Sequence, residues 1–267
     1  MKGLLRAGIL QFDVVLGDVP ANVARVRTGL EALARRGAEF VVLPEMWSSG
    51  FDLPRLSRHA ARTPGVLEDL SALARRLGLW VVGSLPEAAD NGIYNTAYVI
   101  DSKGDIRSAY RKVHLFPMTG EPGHFLAGDR AVACATPWGN LGVLTCFDLR
   151  FPEMARTLAA RGATFLAVCA QWPEARIRHW DVLLAARAVE NQVFVLGANR
   201  SGADPDLGYG GRSAAVSPLG KVLARGPARA GARMVADLDL AEVARAREAM
   251  PCLDLRVPEV YGKMAGE

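Results

Sequence analysis

Residues 141–153, LGVLTCFDLRFPE, carry the pattern from which the fold follows. The first five residues are mainly apolar and predict a buried strand, and Pro152 stands where a helix would begin. Cys146 would therefore lie on a tight turn between a strand and a helix, a geometry that resembles a nucleophile elbow. Such a turn exposes the sulfur and leaves the Phe147 N–H free to meet a developing oxyanion. The alternative is that Cys146 is a small buried hydrophobic residue.

Strands and helices alternate on both sides of this segment. The apolar pattern predicts strands over residues 5–12, 39–43, 79–84, 94–101, 141–145, 164–169 and 193–198. It predicts helices over residues 22–37, with Asn22 as the N-cap, 67–77, 152–161 and 180–190, followed by a hairpin over 213–224 and a strand over 234–238. This order indicates a layered α/β sandwich with helices outside. No stretch resembles a linker, so we predict a single domain over residues 1–267.

The composition excludes several classes of protein. Half of the residues are apolar and 22% are charged, which is typical of a globular chain and not of a disordered or collagen-like one. The net charge of +4 comes with a pI near 9.0 that arginine dominates, but no arginine block alternates with aromatic residues, so we expect no nucleic-acid partner. The N-terminus has no apolar signal region and no apolar run approaches the roughly 18 residues of a membrane span, so we expect no membrane partner.

Four cysteines lie at positions 134, 146, 169 and 252. They form no CxxC pair and have no metal-ligand spacing, so the sequence predicts no metal site. Reduced thiols in the cytoplasm are the simplest interpretation.

Two further residues with reactive side chains lie directly after apolar stretches. Glu45 follows a predicted strand, where partial burial would raise the pKa of its carboxyl and make it able to accept a thiol proton. A carboxylate in a turn or at a helix N-terminus is the alternative. Lys112 lies among apolar and aromatic neighbours, and taken alone it is typical of a surface lysine that buries only its stem.

Three stretches, LPEM at 43–46, YRKVHLF at 110–116 and TCFDLRFPE at 145–153, resemble in this order the Glu, Lys and Cys motifs of the nitrilase (carbon–nitrogen hydrolase) superfamily. The resemblance extends from the first predicted strand to Tyr261. It implies a four-layer α-β-β-α sandwich in which Glu45 is the general base, Lys112 stabilises the tetrahedral intermediate and Cys146 is the nucleophile. Glu121 falls where many members carry a second glutamate that orients the lysine.

Within the superfamily, the stretches 171–176, 179–180, 185–192 and 237–240 look like the ω-amidase branch. Members of that branch hydrolyse the terminal amide of 2-oxo dicarboxylic acid monoamides such as 2-oxoglutaramate. Two departures affect the prediction of the substrate. Phe147 replaces the usual tyrosine, which removes a hydroxyl but keeps the backbone N–H, and the loop over 118–128 matches only loosely.

An amide is a poor electrophile, so its hydrolysis needs a strong nucleophile and a charge that neutralises the oxyanion. The resemblance implies that Glu45 takes the Cys146 proton, that Lys112 and the Phe147 N–H meet the oxyanion, and that protonated Glu45 helps ammonia to leave. Water activated by Glu45 then hydrolyses the thioester, so we expect no metal or organic cofactor. The nearby ammonium predicts a Cys146 pKa below the free value of about 8.5.

A substrate carboxylate would need a forked cation. Arg150 and Arg176 are the candidates nearest in sequence to Cys146 and Trp172, although each could instead form a structural ion pair with a nearby glutamate. Trp172 follows a predicted strand and either forms a wall of the pocket or packs in the core. We expect Phe147 to contact the substrate as well.

The three motifs do not distinguish the ω-amidase from an aliphatic amidase, an N-carbamoyl hydrolase, an acyl transferase or a nitrilase, although Phe147-Asp148 differs from the tryptophan and glutamate usual in nitrilases. His114 and His179 suggest a Cys–His hydrolase, but no papain-like signature surrounds the cysteine. A catalytically silent binding or scaffold protein is the non-enzyme alternative. Residues 208–211, GYGG, lack a phosphate-loop context, so we predict a turn there.

The predicted partner is a small-molecule amide. Superfamily members also assemble through a face of the sandwich. The resemblance therefore implies a homodimer or higher homo-oligomer, with residues 257–262 reaching across to a second copy.

Overall fold

The computed structural model describes residues 3–264, with side chains over residues 3–261. The two ends of the predicted domain, residues 1–2 and 265–267, lie outside the described residues. The strands are β1 (Leu4–Gln11), β2 (Phe40–Val42), β3 (Trp80–Ala89), β4 (Gly92–Ile100), β5 (Ile106–Arg111), β6 (Ala133–Thr136), β7 (Gly139–Thr145), β8 (Ala163–Ala170), β9 (Phe194–Asn199), β10 (Ser201–Asp204), β11 (Leu207–Gly210), β12 (Ala214–Val216), β13 (Val222–Arg225) and β14 (Ala232–Asp239). The helices are α1 (Val19–Arg35), α2 (Leu56–Leu77), α3 (Pro152–Ala160), α4 (Ile177–Asn191), α5 (Ala241–Ala249) and α6 (Pro258–Met264).

Two six-stranded sheets are each built on three parallel central strands. The first sheet has the order β14-β1-β2-β3-β4-β5, with β1, β2 and β3 parallel. The second has the order β13-β12-β9-β8-β7-β6, with β7, β8 and β9 parallel. Parallel strands of one sheet end at the same edge, so the residues that follow β7, β8 and β9 collect there. The antiparallel strands extend both sheets outward on either side.

Three apolar cores define the layers. One lies between the two sheets, where Phe40 packs edge-to-face on Phe165 with ring centroids 5.4 Å apart. A second lies between the first sheet and helices α1 and α2, and a third lies between the second sheet and helices α3 and α4. The order is helix, sheet, sheet, helix, which confirms the predicted four-layer α-β-β-α sandwich.

Helix α1 begins three residues before the predicted start. Its N-cap is Asp18, whose carboxylate accepts a hydrogen bond from Ala21 N at 3.0 Å. Asn22 was the wrong choice of cap because its amide is fully buried and serves the preceding loop instead. The Asn22 amide accepts a hydrogen bond from Val15 N and donates one to Val15 O, both at 2.8 Å. It also donates a hydrogen bond to Ser48 O at 2.9 Å.

Helix α2 begins at Leu56, well before the predicted start at residue 67. Pro64 lies inside the helix and explains the short prediction, since proline removes an internal N–H donor. The helix continues through it because Leu56, Leu67 and Leu70 are buried on both sides of the proline. It ends as predicted at Gly78, which has φ 67° in the left-handed region.

Several peripheral elements were not predicted. Strands β5, β6, β10 and β11 are short and mostly half-exposed, so their sequences carry a weak apolar pattern. The prediction of a turn over residues 208–211 is wrong because residues 208–210 belong to β11, which pairs antiparallel with β10. Helices α5 and α6 were missed for the same reason. Among the helices of residues 3–264, none is both long and apolar enough to cross a membrane.

Candidate active site

Glu45 lies in the turn that follows β2 and is fully buried. Its Oε1 accepts hydrogen bonds from Asn95 Nδ2 and from Lys112 Nζ, both at 2.8 Å. Its Oε2 accepts from Gln171 N at 3.0 Å. Three donors from separate parts of the chain therefore fix this carboxylate in one orientation. The sequence predicted partial burial of Glu45, and the structure buries it fully.

Lys112 follows β5 and is only 1% exposed, so the alternative of a surface lysine is wrong. Its Nζ lies 2.8 Å from Glu45 Oε1 and 2.8 Å from Glu121 Oε2. Burial lowers the pKa of the ammonium, but the two carboxylates raise it more, and the pKa ends above the ordinary lysine value. Lys112 is therefore a permanent cation between two carboxyl groups.

Glu121 comes directly after Gly120 and is 2% exposed. Besides Lys112, its carboxylate accepts a hydrogen bond from Phe116 N at 3.1 Å, which connects it to the segment after the lysine motif. Burial raises the pKa of Glu121 to about 7, since the lowering by Lys112 is partly offset by the nearby Glu45 carboxylate. The structure thus brings together the two predicted glutamates and the predicted lysine.

Cys146 lies at the end of β7, in the predicted turn that leads through residues 146–150 toward α3. Its backbone has φ 46°, in the left-handed region that costs a non-glycine residue about 1–2 kcal/mol. The hydrogen bond that Thr145 N donates to the Asp148 carboxylate, at 2.9 Å, holds this turn in place. We call Glu45, Lys112, Glu121 and Cys146 the floor of the site.

Asp148 connects the lysine motif to the cysteine motif. Its fully buried carboxylate accepts from Thr145 N at 2.9 Å and from Tyr110 OH at 2.7 Å. The same carboxylate accepts from His114 N at 3.0 Å and lies 2.8 Å from His114 Nδ1. These contacts span both sides of Lys112, so one carboxylate fixes the position of the lysine segment relative to the cysteine turn.

The electrostatics at the thiol correct one prediction. Burial raises the pKa of Cys146 well above its ordinary value, and the adjacent Glu45 carboxylate raises it further. Lys112 lowers the pKa by less than these two effects raise it, so the predicted low pKa is wrong. Cys146 therefore rests as a neutral thiol against Glu45, and a base must take its proton when the sulfur attacks.

Above the sulfur, a shallow pocket opens to the surface. Its lining residues are Phe116, Cys146, Phe147, Arg150, Trp172, Pro173 and Arg176. The Phe116 and Phe147 rings pack against each other with centroids 5.0 Å apart, and Trp172 is almost fully buried while it faces the pocket. We call Phe116, Phe147, Arg150, Trp172 and Arg176 the mouth of the site.

The guanidinium of Arg150 lies 4.7 Å above the Trp172 ring and 3.3 Å from His179 Nδ1. Burial lowers the pKa of Arg150, and the neighbouring Arg176 cation also lowers it. Arg176 donates to Met118 Sδ at 3.1 Å. Within the described side chains, neither arginine forms an ion pair with a carboxylate.

The structural ion pairs that the sequence allowed for these arginines do not form. Glu174 pairs with Arg229 instead of Arg176, and no pair between Arg150 and Glu153 exists in the part of the chain with described side chains. The mouth therefore presents two cations whose charge no protein carboxylate within that range neutralises.

The two histidines do not build a Cys–His pair. His114 is held by Asp148 and stacks on Phe151 with centroids 3.6 Å apart, while His179 faces Arg150. Over residues 3–261, no hydrogen bond joins either ring to Cys146. Within the same residues, no group of three or more His, Cys, Asp or Glu side chains could hold a metal ion.

Sequence reasoning missed the roles of Asn95 and Gln171. Asn95 lies in β4 with its side chain buried, and Gln171 follows β8 directly. A polar residue buried within a strand was the available signal for Asn95, because such a residue needs a polar partner in the core. Asp148 was part of the cysteine motif, but its contacts to Tyr110 and His114 cannot be read from a linear pattern.

Comparison with known proteins shows the family and the fold of this chain. Residues 6–248 match the carbon-nitrogen hydrolase family. The 2-oxoglutaramate amidase of Bacillus subtilis is 36% identical over 247 residues, which are 92% of this chain and 95% of that protein. A crystal structure of a carbon-nitrogen hydrolase from Helicobacter pylori has a TM-score of 0.93 at 24% identity, with 99% of each chain covered, and so has the same fold.

A mutant of the amidase from Nesterenkonia sp. AN1 is also similar, with a TM-score of 0.88, 26% identity, and 97% of each chain covered. That structure shows covalent addition of the acetamide moiety of fluoroacetamide at the active site cysteine. The fold and the family match define this protein as a carbon–nitrogen hydrolase. The chain belongs to the nitrilase superfamily and is similar to its ω-amidase branch.

Proposed function

We propose that this protein is an ω-amidase, a cysteine amidase that hydrolyses the terminal amide of a small 2-oxo dicarboxylic acid monoamide such as 2-oxoglutaramate. The products would be the free acid and ammonia. The observation that carries the proposal is the combination of a buried floor of Glu45, Lys112, Glu121 and Cys146 with a mouth that holds two cations free of protein carboxylates over the described side chains. The similarity to the 2-oxoglutaramate amidase of Bacillus subtilis supports the same substrate class.

In the first half of the reaction, the Cys146 sulfur attacks the amide carbon while Glu45 takes the thiol proton. Glu45 is suited to this role because it lies against the thiol and its carboxylate is held by fixed donors. The developing oxyanion would be stabilised by the Lys112 ammonium and by the Phe147 N–H. Protonated Glu45 then gives its proton to the departing nitrogen, ammonia leaves, and a thioester on Cys146 remains.

In the second half, a water molecule attacks the thioester carbon and Glu45 accepts one proton from that water. The carbon–sulfur bond breaks, the acid leaves, and the proton on Glu45 returns to the sulfur. Glu121 takes no proton in this scheme. It pairs with Lys112 together with Glu45, which keeps the ammonium in position through both halves.

The mouth would select the substrate. Arg150 and Arg176 would bind the carboxylate at the far end of the substrate, because a guanidinium fork matches a carboxylate better than any other side chain does. The Phe147 and Trp172 rings would cover the short carbon chain between the two ends. A substrate without the distal carboxylate would leave both cations without a partner.

An ammonia-release assay tests the proposal. We expect turnover of 2-oxoglutaramate and 2-oxosuccinamate to exceed that of glutamine, a simple aliphatic amide, an N-carbamoyl amino acid and a nitrile by at least tenfold in kcat/KM. A preference for the uncharged amide would instead support an aliphatic amidase. Absence of ammonia release from every compound, with Cys146 alkylated no faster than Cys169, would support a silent scaffold protein.

We also propose the arrangement around this site. The chain would form a single domain and work as a homodimer or larger homo-oligomer in the cytoplasm. The four cysteines are all free, which supports a reducing compartment. The outer face of α4 supports self-association, because it exposes Val182 and Val189 at 65% and 50%. Leu219, in the turn beside Val189, is 71% exposed. Light scattering coupled to size-exclusion chromatography tests this, with Val182→Lys as the variant expected to favour the monomer.

A further inference from the structure

Arg200, between β9 and β10, is a fully buried cation outside the floor and the mouth. Its guanidinium forms a two-pronged pair with Asp204, with Nη1 to Oδ2 at 2.8 Å and Nη2 to Oδ1 at 2.6 Å. Nη1 also donates to Gln171 Oε1 at 2.9 Å. A buried charge is costly unless it is paired and hydrogen-bonded, so the position of this guanidinium is tightly defined.

Gln171 carries the connection from Arg200 to the base. Its Nε2 donates to Glu45 O at 2.8 Å, and its backbone N donates to Glu45 Oε2 at 3.0 Å. A glutamine amide can be turned end for end, but a guanidinium has only donors. Arg200 therefore requires the oxygen of Gln171 to face it, which leaves the Nε2 group to face Glu45.

We propose that Arg200 is a positioning residue for the general base, acting through Gln171 on Glu45. The inference rests on the proposed function, in which Glu45 accepts the thiol proton. Arg200 touches neither the sulfur nor the pocket, so its effect is on the orientation of Glu45 and not on substrate binding. Misplacement of a reacting group by about 1 Å can lower a rate roughly a hundredfold.

The hairpin of β10 and β11 holds Arg200 in place. The Tyr209 ring stacks on the guanidinium, with 4.1 Å from Cζ to the ring centroid, and its hydroxyl donates to Asp204 at 2.9 Å. The same hairpin meets the segment after Gln171, where Gly210 N donates to Trp172 O at 3.1 Å. This gives a function to the glycine-rich residues 208–211, which the amidase mechanism alone leaves without one.

A double-mutant cycle with Arg200→Lys and Gln171→Met tests the inference. Each single variant is expected to lower kcat for 2-oxoglutaramate by roughly 10- to 100-fold, with KM changed less than about twofold. If Arg200 acts through Gln171, the double variant is no slower than Gln171→Met. Rates are expressed per Cys146 that iodoacetamide can label, measured on the Cys146 peptide by mass spectrometry, so unfolded protein is not counted.

Val195→Ala is the matched control, because it leaves a cavity in β9 without touching the Arg200 contacts. We expect it to lower the melting temperature and leave kcat unchanged. If Arg200→Lys does not fold, Asp204→Asn replaces it, since this variant weakens the ion pair that holds Arg200. The inference would be overturned if the decreases in kcat of the two single variants multiplied in the double variant. It would also be overturned if either single variant had the wild-type kcat per labelled site.

The rate at which iodoacetamide alkylates Cys146 gives a second readout that needs no amide. Glu45 must accept the thiol proton in that reaction too, so the same variants should slow alkylation and show the same non-additivity. If wild type releases no ammonia from any amide, the proposed function is wrong. The double-mutant cycle measured by alkylation still tests whether Arg200 positions Glu45. Unchanged alkylation rates in both single variants would contradict the role of Arg200.

Discussion

The floor and the mouth of the site differ in how their cations are paired. On the floor, Lys112 Nζ lies 2.8 Å from each of two carboxylates, and all three groups are buried. At the mouth, Arg150 and Arg176 have no carboxylate partner among the described side chains, although both lie close to aromatic rings. The cluster with a paired cation is suited to reaction chemistry, and the two unpaired cations are suited to binding an anion. Substitutions on the floor should therefore change kcat, and those at the mouth should change KM.

The largest effect is expected for Lys112→Met. The variant removes an oxyanion donor, which typically costs about 100- to 1000-fold in turnover, and it leaves Glu45 and Glu121 buried without a cation. Steady-state ammonia release should fall by at least that factor and the melting temperature should drop. Lys103→Met, at an exposed turn, is the control and should behave as wild type. A Lys112 variant with normal kcat would contradict the role of Lys112 in catalysis.

Asp148→Asn should have the next largest effect. The asparagine amide cannot accept hydrogen bonds from all of the donors that contact this carboxylate, so at least one buried group loses its partner. That loss should lower the free energy of unfolding by about 1–3 kcal/mol. The lysine segment and the cysteine turn would shift apart, and we expect kcat to fall roughly 10- to 100-fold. Asp129→Asn is the control, because Asp129 is exposed and pairs with the adjacent, exposed Arg130. Equal kcat for the two variants would show that the connection has no catalytic role.

Substitutions at the mouth test the other side of the comparison. Arg150→Met and Arg176→Met should each raise KM for 2-oxoglutaramate about tenfold or more with little change in kcat, since each removes one charge from the proposed carboxylate site. The kinetics of a simple aliphatic amide should not change. Arg229→Met is the control, because Arg229 is exposed and pairs with Glu174. An equal loss for charged and uncharged amides would contradict a role in carboxylate binding.

The smallest effect concerns pH and Glu121. The pKa of Glu121 is about 7 in the folded protein, against an ordinary value of 4.5, so the folded state binds the proton more tightly. The stability that this gives is complete below about pH 4.5 and is lost as the pH rises through 7.

Urea unfolding of wild type and of Glu121→Gln across this range measures the effect. The unfolding free energy of wild type relative to the variant should fall by on the order of 1–3 kcal/mol between pH 4.5 and 7.5. A difference that does not vary with pH would mean that Glu121 titrates normally.

The order of strands and helices was enough to predict a layered sandwich, because apolar periodicity is a local property. Glu45, Lys112 and Cys146 were selected by the resemblance of three motifs, and the structure brings the three side chains together. Sequence reasoning failed where the outcome depends on distant contacts. The pKa of Cys146 was predicted in the wrong direction because the burial of the thiol and its contact with Glu45 exist only in the folded chain. The start of α1 was misplaced because the Asn22 amide bonds to a loop that only the fold brings near.

The central claim is that the Cys146 sulfur carries the acyl group of the substrate. Rapid quenching of the enzyme with 2-oxoglutaramate, followed by mass spectrometry of the intact protein and its peptides, tests it most directly. We predict a transient mass increase equal to the substrate minus ammonia, located on the Cys146 peptide and absent from Cys146→Ala. Ammonia release by Cys146→Ala at the wild-type rate, or an adduct on any other residue, would contradict the claim.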